Sequence, residues 1–112
     1  QRASFLRTVI TEPDILLLDE PFSALDALNR SRLQMWLLDL LEEIQRTVLL
    51  VTHDVDEAIM LSDRVYVMTS RPGRINSVEE VPYPRPRNRE IVNDSSFVEL
   101  KSKILSLLWD QD

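Results

Sequence analysis

Two short apolar runs, Ile15-Leu16-Leu17-Leu18 and Val48-Leu49-Leu50-Val51, constrain this chain more than any other feature, because each leads straight into groups able to do chemistry. Both are shorter than an ordinary helix and are bounded by polar or turn-forming residues, so each is expected to be a strand. Apolar without alternation, they predict strands buried on both faces, as in a parallel sheet covered by helices. In open sheets of that kind ligands collect beyond the carboxyl ends of the strands. The first run ends in Asp19-Glu20-Pro21 and the second in Thr52 and His53, the only histidine. An acid pair and an imidazole are therefore predicted at one sheet edge.

The elements around these runs support an α/β class. Ala3, Leu6, Val9 and Ile10 share one face at helical spacing, and Pro13 disfavours helical geometry at Glu12, so a helix is expected to end near residues 11–14. Asp26 can cap a long crossover helix whose Leu33, Trp36, Leu37, Leu40, Leu41 and Ile44 recur at steps of three and four. Joined to the second strand over residues 47–52, it makes a β-α-β unit. Asp54, with Glu57 three positions on, can open a short helix over residues 55–61. Residues 64–69 alternate as a half-buried strand, and Pro72-Gly73 suits a type II turn into a partner near residues 74–81, an antiparallel appendix to the sheet. Pro82 to Pro86 should run extended over the surface, with Arg85, Arg87 and Arg89 as a solvated basic edge. Ser96-Phe97-Val98-Glu99 reads as a capping box opening a last helix with Phe97, Leu100, Ile104, Leu107 and Leu108 inward. Two parts are expected, residues 1–81 and the extended segment and helix of 82–112.

On chemistry alone, Asp19 at a strand end can hold Mg²⁺ directly or through water, and Glu20 can polarise an attacking water. An imidazole at His53 can reach a terminal phosphate or orient water. Each residue also has an ordinary reading: acid pairs occupy strand-to-helix turns, single histidines cap or hydrogen-bond, and Ser23 and Asp26 suit a turn and a helix cap. The net charge of −6 argues against a nucleic-acid footprint. Cysteine is absent, which fits a reducing compartment. No apolar run approaches the ~20 residues needed to cross a bilayer. The chain opens within a helical pattern, without an initiator Met or targeting segment, and so is expected to be a piece of something longer. Its one glycine is Gly73, so it can hold no G-x-x-x-x-G-K-[ST] phosphate cradle, and no nucleotide-binding residues are expected within it.

Taken together, residues 15–26, from Ile15 through Asp19-Glu20-Pro21-Phe22-Ser23-Ala24-Leu25 to Asp26, resemble the Walker B strand and D-loop of an ABC transporter ATPase. Thr52-His53-Asp54-Val55-Asp56-Glu57-Ala58 is similar to that family's H-switch, and Gln1-Arg2-Ala3 to the end of its signature helix. Met68-Thr69-Ser70-Arg71-Pro72-Gly73-Arg74-Ile75 looks most like the importer ATPases of the nitrate, sulfonate, taurine and pyrimidine-precursor group. The resemblance implies the later part of a RecA-like P-loop NTPase sheet with flanking helices, an antiparallel hairpin and a terminal helix. It implies ATP and Mg²⁺ as cofactors, Asp19 as a metal ligand through water, Glu20 as general base, His53 at the γ-phosphate, and Ser23 and Asp26 facing an opposite subunit. The implied partners are a second ATPase subunit, head to tail, and a membrane permease, with the protein peripheral on the cytoplasmic side of the membrane. Without the P-loop the isolated chain is expected to be inactive. The alternatives are an ABC ATPase of DNA repair or translation, and a non-catalytic remnant.

Overall fold

The run Thr8-Val9-Ile10-Thr11 is β-branched throughout, and in the computed structural model of the chain it is a strand, not the end of a helix. The structure describes residues 8–12, 15–44, 46–69 and 73–109. The helix expected from Ala3 and Leu6 lies outside them. Its continuation through Val9 and Ile10 is overturned, because side chains stiff at χ1 favour a pleated surface over a helical turn.

The chain divides into two compact units, Gln1–Asp54 and Val55–Asp112. In the first, β1 (Thr8–Glu12) pairs antiparallel with β2 (Ile15–Asp19), and β2 pairs parallel with β3 (Thr47–Val51). The register sets Ile15 opposite Thr47 and Asp19 opposite Val51. The adjacency of the two apolar runs is thus observed, whereas the all-parallel sheet becomes a mixed one. Between β2 and β3 runs α1 (Ala27–Glu43), opened by Asp26, whose Oδ1 accepts from the Asn29 amide at 2.9 Å. The buried stripe of α1 is Gln34, Leu37 and Leu38, a quarter-turn from the one expected. Leu18, Pro21 and Phe22 are the other buried apolar side chains described in this unit. β3 is not covered on both faces: Leu49 is 54% and Val51 48% exposed. The parallel ladder is only two strands wide with β3 at its edge, and among the described residues the helical layers that would enclose both faces are not in place.

In the second unit α2 (Val55–Leu61) leads into a hairpin of β4 (Arg64–Met68) and β5 (Ile75–Glu80). The hairpin is a sheet of its own and does not extend the first. Residues 70–72, with the expected Pro72 turn, lie outside the described residues; the Thr69 amide donates to the Arg74 carbonyl at 2.7 Å across the loop. A 3-10 turn (Arg89–Asn93) and α3 (Ser95–Trp109) follow. The Asp94 carbonyl accepts from the Val98 amide at 3.1 Å, so α3 opens ahead of the Ser96 box. Ile59, Val67, Val81, Phe97 and Ile104 form one buried cluster, with Leu100 and Leu107 packed against it; Leu108, expected inward, is 43% exposed. Tyr83 tilts against Phe97 at a centroid distance of 6.4 Å. Burial foremost, and the Asp94 carboxylate next, hold its phenol above the ordinary range.

Arg87 overturns the expectation of a solvated basic edge. Its side chain is 1% exposed. Its Nη1 donates to the carbonyls of Ser62, Met60 and Ile59 at 2.7, 3.1 and 3.3 Å, and its Nε to the Tyr83 carbonyl at 3.0 Å. Arg85 adds a bond from Nη2 to the Leu61 carbonyl at 2.6 Å and one from Nε to Asp63 Oδ1 at 3.1 Å. The last carbonyls of a helix have no partner within it and carry the negative end of its dipole. The two guanidinium forks satisfy those of α2, and so the Pro/Arg stretch is a docked strap. Arg89 alone of the three is exposed.

Candidate functional site

The site is built at the carboxyl ends of β2 and β3. β2 stops at Asp19, and Glu20 takes φ 51°, the one positive φ recorded for a non-glycine residue among those described. That left-handed conformation is costly for a residue with a long side chain and persists only where surrounding bonds impose it. Three such bonds are present. The Glu20 amide donates to the Val51 carbonyl at 2.8 Å, while its own carbonyl accepts from the Ser23 amide at 3.4 Å and the Ser23 hydroxyl at 3.2 Å. Pro21 and Phe22 are buried immediately after it, which anchors the turn into α1.

From the neighbouring strand, β3 ends at Val51 and the chain turns through Thr52 and His53. His53 Nε2 lies 3.3 Å from Glu20 Oε1, within ion-pair reach. The imidazole is 97% exposed and the carboxylate 24%. The pair is close but not aligned as a hydrogen bond, and Oε1 is buried without a donor. Glu20 thus presents one buried acceptor to the sheet edge and leaves the imidazole free on the solvent side. A carboxylate and an imidazole so placed can share the movement of a proton to or from a third group held between them.

Asp19 is exposed at the same edge, level with Val51. Among the described residues no group of three or more His, Asp or Glu is arranged to hold a metal ion. A single carboxylate still suits Mg²⁺, which keeps several waters and takes one or two carboxylates together with substrate phosphates. Ser23 and Asp26 sit in the turn, where both have intrachain work: Ser23 on the Glu20 carbonyl, and Asp26 capping α1, with Oδ2 also accepting from Asn29 Nδ2 at 3.1 Å. The positive φ of Glu20 has no sequence signal, since such positions are expected at Gly, Asn or Asp. Nor did Thr52 stand out, whose Oγ1 accepts from the Asp54 amide at 3.0 Å; a Thr two residues ahead of an amide at a helix start is the signal that could have found it.

No protein-family model matches the chain. Among curated proteins it is 47% identical over 111 residues to an uncharacterized ABC transporter ATP-binding protein of Methanocaldococcus jannaschii, covering 99% of this chain and 40% of that protein. It is 48% identical over 107 residues to an aliphatic sulfonates import ATP-binding protein of Bacillus cereus, covering 94% and 41%. It is 45% identical over 111 residues to a nitrate import ATP-binding protein of Synechococcus elongatus, covering 97% and 40%. The chain is homologous to a segment of ABC transporter ATP-binding proteins. It spans about two-fifths of the length of these ABC relatives. Within this ABC segment, no described helix is long and apolar enough to cross a membrane.

Proposed function

We propose that the chain is the Walker B, D-loop and H-switch portion of a RecA-like importer ATPase, and that Glu20 and His53 are its hydrolytic pair. The observation that carries the reading is Glu20 itself, held left-handed at a strand end with a buried, donor-free oxygen 3.3 Å from an exposed imidazole. Glu20 takes a proton from water as the water oxygen bonds to the terminal phosphorus and the bond from that phosphorus to the bridging oxygen breaks, ADP leaving with that oxygen; His53 orients the water and contacts the phosphate from the open side. Asp19 would hold Mg²⁺, with water between, and the ion would supply positive charge beside the phosphate oxygens. Ser23 and Asp26 face the opposite subunit of a head-to-tail dimer.

The relatives named for nitrate import, aliphatic sulfonates import and bicarbonate transport support a small anion as the solute; taurine and a pyrimidine precursor are the other solutes that the resemblance implies. In this reading the intact polypeptide binds ATP, couples its hydrolysis to a permease, and lies peripherally on the cytoplasmic face of the membrane. The 112-residue chain, with no phosphate cradle, hydrolyses nothing alone. The test is a pair of variants of the intact polypeptide. Glu20→Gln is expected to lower turnover about 10²–10⁴-fold while ATP binding persists, as removal of a general base does. Asp19→Asn should instead raise the Mg²⁺ concentration needed for turnover. Equal loss of ATP affinity in both variants would overturn the assignment.

A further inference from the structure

We infer that Thr52 is a positioning residue for His53, an inference that rests on the ATPase reading above. A side chain 97% exposed has almost nothing packed against it, so its placement is set by the backbone that carries it. On the amino-terminal side that backbone is pinned at Val51, whose carbonyl takes the Glu20 amide at 2.8 Å. On the carboxyl-terminal side it is pinned by the half-buried Thr52, whose Oγ1 spans His53 to accept from the Asp54 amide at 3.0 Å. The contacts form a closed circuit: Glu20 amide to Val51, Thr52 hydroxyl to Asp54 around His53, and His53 Nε2 back to Glu20 Oε1 at 3.3 Å. Opening the circuit at Thr52 releases the imidazole and leaves Glu20 in place. A serine or threonine hydroxyl competing for a backbone amide in this way fixes a turn that a valine of the same shape cannot. Thr52 acts through His53 and touches no reacting atom.

The experiment is a double-mutant cycle in the intact ATP-binding polypeptide. Thr52→Val keeps the branched shape, removes the acceptor, and is expected to lower kcat about 10-fold while KM for ATP moves less than about 2-fold. Thr52→Ser restores the hydroxyl and should recover most of the loss. The Thr52→Val/His53→Ala double variant should turn over no more slowly than His53→Ala alone, because both act through one group. Additive losses, or no recovery in Thr52→Ser, would overturn the inference. Amide exchange at Asp54 reads the turn without any activity: in the 112-residue chain it should quicken about 10-fold in Thr52→Val, and an unchanged rate would also overturn it. Turnover that survives Glu20→Gln would instead remove the ATPase reading, leaving the Asp54 exchange result to judge the turn by itself.

Discussion

The two units bury and expose opposite things. In Val55–Asp112 the apolar side chains of three kinds of element meet in one cluster, and even the cationic heads of Arg85 and Arg87 are spent on carbonyls at the end of α2. In Gln1–Asp54 the buried residues among those described are Leu18, Pro21, Phe22, Gln34, Leu37 and Leu38, and the strand that leads to His53 turns Leu49 and Val51 outward. The second unit uses its sequence for a core; the first uses paired strand ends to hold exposed groups. Sites that must meet another molecule are drawn from regions like the first, where backbone bonds position the groups and few side chains cover them.

The difference can be broken most directly at Phe97. Phe97→Ala should cost the second unit about 3–5 kcal/mol, as removal of a fully buried aromatic does. Leu49→Ala in the first unit, half exposed already, should cost under about 1 kcal/mol. Amide exchange at Ile104 and at Leu50 measures the two losses, and equal values would erase the contrast.

A smaller effect tests the strap. Arg87→Met keeps much of the volume but leaves the α2 carbonyls without their cation, which should cost about 1.5–3 kcal/mol, in the range of hydrogen bonds to charged groups. Arg89→Met, on the exposed neighbour, should stay within about 0.5 kcal/mol in the same denaturation series. A matching loss at Arg89 would return the segment to a solvated edge.

The smallest effect is one of pH. Glu79 is buried on the inner side of β5 opposite Val65, accepts from the Ser77 hydroxyl, and pairs with Lys103 Nζ at 3.0 Å on α3. The Ser77 bond first, and Lys103 next, hold its carboxyl below the ordinary range against the opposing pull of burial. The unfolded chain therefore binds the proton more readily, so the Glu79 contribution is complete above the ordinary glutamate range near pH 4.3 and is lost as pH falls through the depressed value. Urea midpoints of the chain between about pH 5 and pH 3 should decline, and Glu79→Gln should flatten that acid limb. An unchanged slope in the variant would detach the hairpin from this ion pair.

Much of the site was legible because it needs little more than order along the chain. A short apolar run followed by an acid pair, and a second run followed by a histidine, have to bring those groups to one edge once the runs pair in parallel, and the register of Asp19 with Val51 does so. The cap at Asp26, the span of α2 and the alternation of Val65 and Val67 against Tyr66 and Met68 were equally readable, since each is a local pattern with a local cause. The strand at Thr8–Glu12 was misread because helical spacing of its apolar residues outweighed their β-branching. The Arg87 clamp was misread because charge alone does not say whether a guanidinium meets water or a helix end.

By itself, the sequence determined which residues could be brought together: two strands, a crossover helix between them, and an acid pair and a histidine at the same ends. Tertiary structure alone decided how they are held. The left-handed turn at Glu20, the 3.3 Å approach of His53 and the burial of Arg87 all depend on atoms distant in sequence or on a single unfavoured backbone angle. Periodicity and composition report the average environment of a residue. A strained angle or a buried charge is stable only through its specific neighbours, and those exist only once the chain has folded.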